Sequence, residues 1–324
     1  MAVPGGDPDP GARSTSAHGW LDGPTPDSVA EMVRSLELTI TRRLDGVLHG
    51  NHEGLTPGHG SEPGESRPYQ PGDDVRRIDW NVSARTNETY VREQIADRDL
   101  TAWLVVDTSA AMRFGTTTND KAHVATAAAA TVGFLTARNQ NRLGAVLIAG
   151  PRLRTLPPRA GVNQVRAILT AIARPPESEG SGRSDLVGAL GRVDALARRR
   201  GFVAVVSDFG GLDWTGPLGR LGLRHDLLAI AVNDPREFDV PPIGLVQLED
   251  PATGRTREVR VTAKIQRRFA EEAAAERDRR RHGIQRAGAE FVELTTDEDW
   301  LARIVGHVQH RRVQAVRGQV LGGP

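Results

Sequence analysis

The chain contains no cysteine, which excludes disulfide bonds, thiolate zinc sites and cysteine nucleophiles and fits a reducing cytoplasm. No apolar run approaches the roughly 18 residues of a membrane-spanning helix. The Pro/Gly/Asp-rich stretch from Gly5 to Gly23 also lacks the hydrophobic segment of a secretory leader. A soluble, cytoplasmic protein is the expectation. Excess charge of one sign is missing too. The 42 basic residues face 41 acidic ones, so bulk charge provides no attraction to nucleic acid or to an anionic membrane. Lysine is almost absent: Lys121 and Lys264 are the only two, and every other basic residue is arginine, as GC-rich coding would produce. What remains is ordinary globular material. At 324 residues, 38% hydrophobic and 26% charged, the chain can bury one large core or two smaller ones.

The pattern along the chain predicts four regions. Residues 1–28 are rich in Pro, Gly, Asp and Ser and read as a disordered tail. Residues 29–95 begin with a helix, in which Met32, Leu36, Ile40, Leu44 and Leu48 recur at four-residue steps. A polar loop follows, then an Arg/Asp-rich segment, with a short strand over Thr89–Gln94. Residues 96–316 alternate strand and helix, and 317–324 form a C-terminal tail. Strands are expected at 101–106, 143–149, 202–206, 227–232 and 290–294, and helices near 120–138, 161–173, 185–199, 264–285 and 297–315. Thr118, Asn119 or Asp120 could cap the first of these helices and Thr295 or Thr296 the last. Two inserted hairpins break the alternation, one turning at Gly150-Pro151 and the other at Asp250–Gly254. This pattern specifies an α/β fold with a doubly wound, mostly parallel sheet.

Chemistry concentrates at three strand or helix junctions. The apolar run Trp103–Val106 ends in Asp107-Thr108-Ser109-Ala110-Ala111-Met112, and Phe202–Val206 ends in Ser207-Asp208. Between them, Ser184-Asp185 opens a helical pattern. In a parallel sheet these carboxyl-side loops share one rim. Asp107, Ser109, Ser184 and Asp208 make a hard oxygen set suited to Mg²⁺, Mn²⁺ or Ca²⁺. The same spacing also fits a blander role, in which both aspartates merely cap helices at strand ends.

Asp107-Thr108-Ser109-Ala110-Ala111, taken with Ser184 and Ser207-Asp208, resembles the metal-ion-dependent adhesion site of von Willebrand factor A-type domains, an Asp-x-Ser-x-Ser motif followed by a Thr and an Asp. Two positions depart from it: Ala111 replaces the second Ser and Ser184 the Thr. The segment Arg67 to Arg85 is similar to the signature of the bacterial "domain of unknown function 58" family through Tyr69, Gly72-Asp73-Asp74, Arg76, Ile78-Asp79-Trp80-Asn81 and Ala84-Arg85, as are Phe114-Gly115 and Lys121. The resemblance implies a von Willebrand factor A-like domain and a partnership, as adaptor or co-chaperone, with a MoxR-type AAA+ ATPase. It also implies a divalent cation held by Asp107, Ser109, Ser184 and Asp208, with an open position for a carboxylate from a partner or client protein. Ala111 raises the alternative of a weak or vestigial site.

The Arg/Asp segment carries Arg67, Tyr69, Asp73, Asp74, Arg76, Asp79, Trp80 and Arg85. Two roles are open to it: a recognition surface beside the rim, or a clamp in which Arg–carboxylate forks brace irregular backbone while Ile78 and Trp80 plug the core. The clamp is the expectation. Other signals are discounted. Gly115 to Lys121 lacks the Gly-Lys-Ser/Thr ending of a phosphate loop. Gly216, Gly219 and Gly222 lack dinucleotide-loop spacing, and His49, His52 and His59 lack a zinc-ligand pattern. A metal-dependent phosphoester hydrolase is the rival function. Against it, no lysine is expected near the site, and His123 is the sole nearby histidine. A binding module without catalysis is the expectation, with no nucleic acid partner and no direct membrane span.

Overall fold

The computed structural model describes residues 26–48, 66–70, 75, 78–86, 88–92, 101–138, 141–174, 183–211, 213–250 and 253–307. In chain order the elements begin with α1 (Pro26–Leu48), β1 (Ser66–Pro68), α2 (Trp80–Thr86) and β2 (Tyr90–Arg92). Next come β3 (Thr101–Asp107), α3 (Lys121–Arg138), β4 (Arg142–Ala149), β5 (Arg152–Ala160), α4 (Val162–Ala173) and α5 (Leu186–Leu196). The chain continues through β6 (Phe202–Ser207), α6 (Thr215–Gly222), β7 (Asp226–Asn233), β8 (Gly244–Glu249) and β9 (Thr256–Val261). The last are α7 (Ala263–Arg286), β10 (Glu290–Thr295) and a helix, α8, at 300–307.

Six strands form the central sheet in the order β10-β7-β6-β3-β4-β5. All neighbours are parallel except β4 and β5, which form the antiparallel hairpin at one edge. The sheet is doubly wound. Its central strands are nearly continuous apolar runs because both faces are covered. In β3, Ala102, Leu104 and Val106 face the layer containing α1, α3, α4 and α8. Trp103 and Val105 face the layer of α5, α6 and α7. The order of strands reverses between β3 and β6, so a crevice opens at their carboxyl ends, where this fold class places ligands. Among the described residues β8 and β9 pair only with each other, and β1 pairs with β2, whose Val91 also bridges Ile78.

Helix α3 is buried almost all round, from Val124 to Thr136. Its three buried threonines do not break it, because each hydroxyl donates to a carbonyl four residues earlier, at 2.7, 2.9 and 2.8 Å. Gly133 lets α4 approach closely: a Cβ there would lie 2.7 Å from Val165 Cγ1. Val29, Val33, Leu36 and Ile40 of α1 join this core.

The structure adds elements that the sequence pattern does not disclose. Helix α6 contains Gly216, Gly219 and Gly222, poor helix formers whose cost is offset by burial of Leu218 and Leu221. Gly222 is required by contact, since a Cβ there would sit 2.0 Å from the Ala287 carbonyl oxygen. Strand β5 runs to Ala160 despite Pro157 and Pro158. As an edge strand it can lose ladder donors on its open side. Capping differs at one end. Asp120 caps α3 through the His123 amide, at 2.7 Å, but α8 is capped by Asp299, which accepts from Leu301 and Ala302. Thr296 is diverted to Asp234.

The Arg/Asp segment is the main correction. Trp80 does not plug the core: it is 72% exposed at the start of α2. Asp79 is the buried residue instead, accepting from the Asn81 and Val82 amides as the helix cap. Ile78 bridges Val91 and is half-buried, Tyr69 is half-buried, and Arg85 is exposed. Asp73, Asp74, Arg76 and the Arg67 side chain lie outside the described residues, as do His49, His52, His59, residues 1–25 and the C-terminal tail, whereas 26–28, expected in the N-terminal tail, begin α1.

Candidate functional site

The three junctions singled out in the sequence meet at the carboxyl rim between β3 and β6. Asp107 closes β3 and is almost fully buried. Its Oδ2 accepts the Ser184 hydroxyl at 2.6 Å and the Ser207 hydroxyl at 3.1 Å. Its Oδ1 accepts the Ser109 amide at 2.9 Å. Neighbouring backbone fixes this arrangement. The Thr108 amide and hydroxyl both donate to the Ile148 carbonyl of β4, at 2.8 Å each. The Asp185 amide donates to Gly150 in the β4–β5 turn, seating Ser184 beside the rim. Asp185 itself caps α5 through the Gly188 amide.

Asp208 leaves the end of β6 on a strained turn. The next residue, Phe209, has φ 52°, left-handed for a bulky side chain, and is fully buried. Trp214 holds it: the two rings pack edge to face at 5.2 Å, and the indole nitrogen donates to the Phe209 and Gly211 carbonyls. The Phe209 amide donates to Ser207 Oγ, and the Gly210 amide to Asp208 Oδ1. The strain is therefore locked in place by packing directly after Asp208.

Electrostatically the rim is short of positive charge at Asp107. Burial raises the Asp107 carboxyl above its usual range and the nearby Asp208 charge raises it further. The hydrogen bonds from Ser184 and the Ser109 amide only partly oppose this. The Ser109 hydroxyl is close enough to favour the Asp107 charge but lies outside hydrogen-bonding geometry. It is fully buried and, among the described residues, has no hydrogen-bond partner. A hard cation would satisfy both needs at once, which makes the residues a chemical fit for one. Among the described residues no cluster of three or more His, Cys, Asp or Glu side chains is placed to hold a metal. An ion here would depend on hydroxyls as much as on carboxylates. Ala111 and its neighbour Ala110 supply no side-chain oxygen.

Lys121 overturns the expectation that no lysine approaches the site. It is almost fully buried at the first turn of α3, and its ammonium lies 3.2 Å from Asp208 Oδ2 and 2.7 Å from Glu237 Oε1. Burial alone would lower its pKa, but Asp208 and Glu237 more than offset that and raise it. Lys121 is thus firmly charged and a poor base. The Lys121 amide donates to the Phe114 carbonyl, closing a tight loop in which a Cβ on Gly115 would fall 2.5 Å from Asp120 Cα. Arg280 of α7, also buried, donates to the Asp208 carbonyl at 2.6 Å and lies 3.6 Å from Glu293. Asp234 ties the neighbouring loops together, accepting from the Thr116 amide and hydroxyl, the Arg236 amide and the Thr296 hydroxyl. Sequence reasoning missed Lys121, Glu237, Arg280 and Asp234 as members of this neighbourhood. Only Lys121 carried a signal, as one of two lysines in an arginine-based chain and as a residue of the family resemblance after the Asp107 loop. His123 is half-buried, and burial lowers its pKa despite Asp120.

A family model described as "Protein of unknown function DUF58" matches residues 65–279. Among relatives, the uncharacterized proteins Rv1480 of Mycobacterium tuberculosis and Mb1516 of Mycobacterium bovis are each 46% identical over 301 residues. The matches cover 93% of this chain and 94% of each relative. Among solved structures, BatB from Bacteroides thetaiotaomicron aligns over 65% of this chain and 98% of its own at 11% identity, with a TM-score of 0.42. The VWA domain of SpRpn10 aligns over 64% of this chain and 94% of its own at 11% identity, with a TM-score of 0.37.

Proposed function

The chain belongs to the DUF58 family, and from that premise we propose that it is a non-enzymatic protein-binding module whose rim at β3 and β6 docks a partner's carboxylate through a divalent cation. Asp107, Ser109, Ser184 and Asp208 would hold the ion, Mg²⁺ or Mn²⁺ before Ca²⁺. When bound, the ion supplies a Lewis-acidic position for an Asp or Glu of the partner. The observation that carries this reading is the fully buried Ser109 hydroxyl, which has no hydrogen-bond partner among the described residues, beside the buried Asp107 carboxyl. A purely structural cap would not leave that hydroxyl unmet.

The chain's own residues perform the rest. Ser184 and Ser207 orient Asp107 by donating to one oxygen. The locked Phe209–Trp214 turn presents Asp208. Hydrolysis is the weaker reading, because the charged Lys121 cannot serve readily as a general base. The partner proposed from the family resemblance is an AAA+ ATPase of the MoxR type. Among the described residues no helix is long and apolar enough to cross a membrane, which suits a cytoplasmic adaptor that meets such a partner directly.

Two measurements test the proposal. Mn²⁺ titration should raise the thermal unfolding midpoint of the parent and leave Asp107→Ala unmoved. Pull-down of the native protein should retain an AAA+ ATPase in Mg²⁺ and lose it in EDTA. No metal-dependent shift, together with unchanged partner capture by Asp107→Ala, would overturn the reading.

A further inference from the structure

The deepest positive charge at the rim is Lys121. Its ammonium is almost wholly removed from water, yet it touches only partly buried carboxylates, those of Asp208 and Glu237. It is also a lysine where the chain elsewhere uses arginine for nearly every cation. A compact, strongly hydrated point charge fits a position sized for a small ion, whereas a planar guanidinium needs a fork of acceptors. The nearby arginine, Arg280, behaves differently: it reaches the Asp208 backbone carbonyl and leaves the carboxylate to Lys121.

We propose that Lys121 is a tethered counter-ion that competes with the divalent cation for Asp208, and that Glu237 is the carboxylate that receives the ammonium when the cation binds. This inference rests on reading the rim as a cation site and specifies how that site is tuned. The geometry supports an exchange without refolding. Lys121 already bridges both acids and lies nearer Glu237, at 2.7 Å against 3.2 Å for Asp208. Its backbone is pinned by the Phe114 carbonyl, so only the flexible stem must swing. Glu237 is itself held by the Asp234 amide, which donates to Oε2 and leaves Oε1 for the ammonium. With the ion absent, Lys121 keeps Asp208 from facing Asp107 as an unbalanced charge. With the ion present, the two positive charges repel, and Glu237 gives Lys121 a place to go. Lys121 is therefore a positioning residue that sets metal affinity without touching a partner.

The test is direct Mn²⁺ binding, by electron paramagnetic resonance and calorimetry, to the full chain and to Lys121→Met, Glu237→Gln and the double variant. Removing a unit charge a few ångströms away should tighten Mn²⁺ in Lys121→Met by about tenfold or more. Glu237→Gln should weaken Mn²⁺ in the parent and do so much less in the Lys121→Met background, a coupling that loss of a merely structural contact would not produce. Circular dichroism checks that each variant is folded. If the parent binds Mn²⁺ and Lys121→Met binds it equally or more weakly, the competition is overturned while the rim remains a cation site. If neither the parent nor Lys121→Met binds Mn²⁺, the cation site itself is refuted, and this inference with it. Binding by Lys121→Met alone supports the inference in its strongest form.

Discussion

At the scale of single residues, burial changes what a side chain can do more than its identity does. Asp234 is inaccessible to solvent and accepts four hydrogen bonds. Burial pushes its pKa up, but the bonds from Thr116, Arg236 and Thr296 outweigh this and hold it below the ordinary 3.8. A depressed carboxyl adds stability above its unfolded pKa and loses it as pH falls through the folded value. Asp234→Asn should therefore be less stable than the parent at neutral pH, by about 1–3 kcal/mol. The gap should close as pH drops below 3.8, as followed by urea unfolding across pH. Trp80 makes the opposite point. Its place in an aromatic and charged segment reads as core, yet it projects into solvent. Trp80→Ala should change stability by no more than about 0.5 kcal/mol, measurable by the same denaturant titration. A loss of several kcal/mol would restore the clamp.

At the scale of elements, amphipathic and apolar periods identify the strands and long helices of the main domain, because two-sided burial of a parallel sheet leaves few alternatives. The weak points are elements whose stability comes from neighbours. Helix α6 is glycine-rich and shows no helical signal in the sequence; it is stabilised where Leu218 and Leu221 are buried. α3 and α4 show how finely such contacts are set. Gly133→Ala would drive a methyl into Val165, with an expected cost of about 1–3 kcal/mol from overpacking. The double variant Gly133→Ala/Val165→Ala should recover part of it. Recovery seen in thermal midpoints would show that the helix–helix distance, rather than helix propensity, governs this position.

At the scale of the whole molecule, one sheet carries two apolar layers, and α1 belongs to the first of them. Ile40 is completely buried against the core that α3 and α4 share. Ile40→Ala should cost about 2–5 kcal/mol and lower the midpoint of one cooperative thermal transition shared with the central sheet. A separate low-temperature transition would instead mark α1 as an independent appendage. The strand order places β3 beside β6, so residues a hundred positions apart share one rim.

The sequence by itself determined the α/β alternation, the two hairpins and the residues Asp107, Ser109, Ser184 and Asp208 as candidates, because hydrophobic period and strand-end chemistry are local properties. Only the tertiary structure decided which side chains surround those candidates. Lys121, Glu237 and Arg280 come from three separate elements, and the meeting of Lys121 and Arg280 at Asp208, with Glu237 on Lys121, follows from strand order and helix packing rather than from any spacing along the chain. The exposure of Trp80 and the burial of Asp79 were likewise set by how the segment lies, since a charged, turn-rich stretch carries no period from which an inside face can be read.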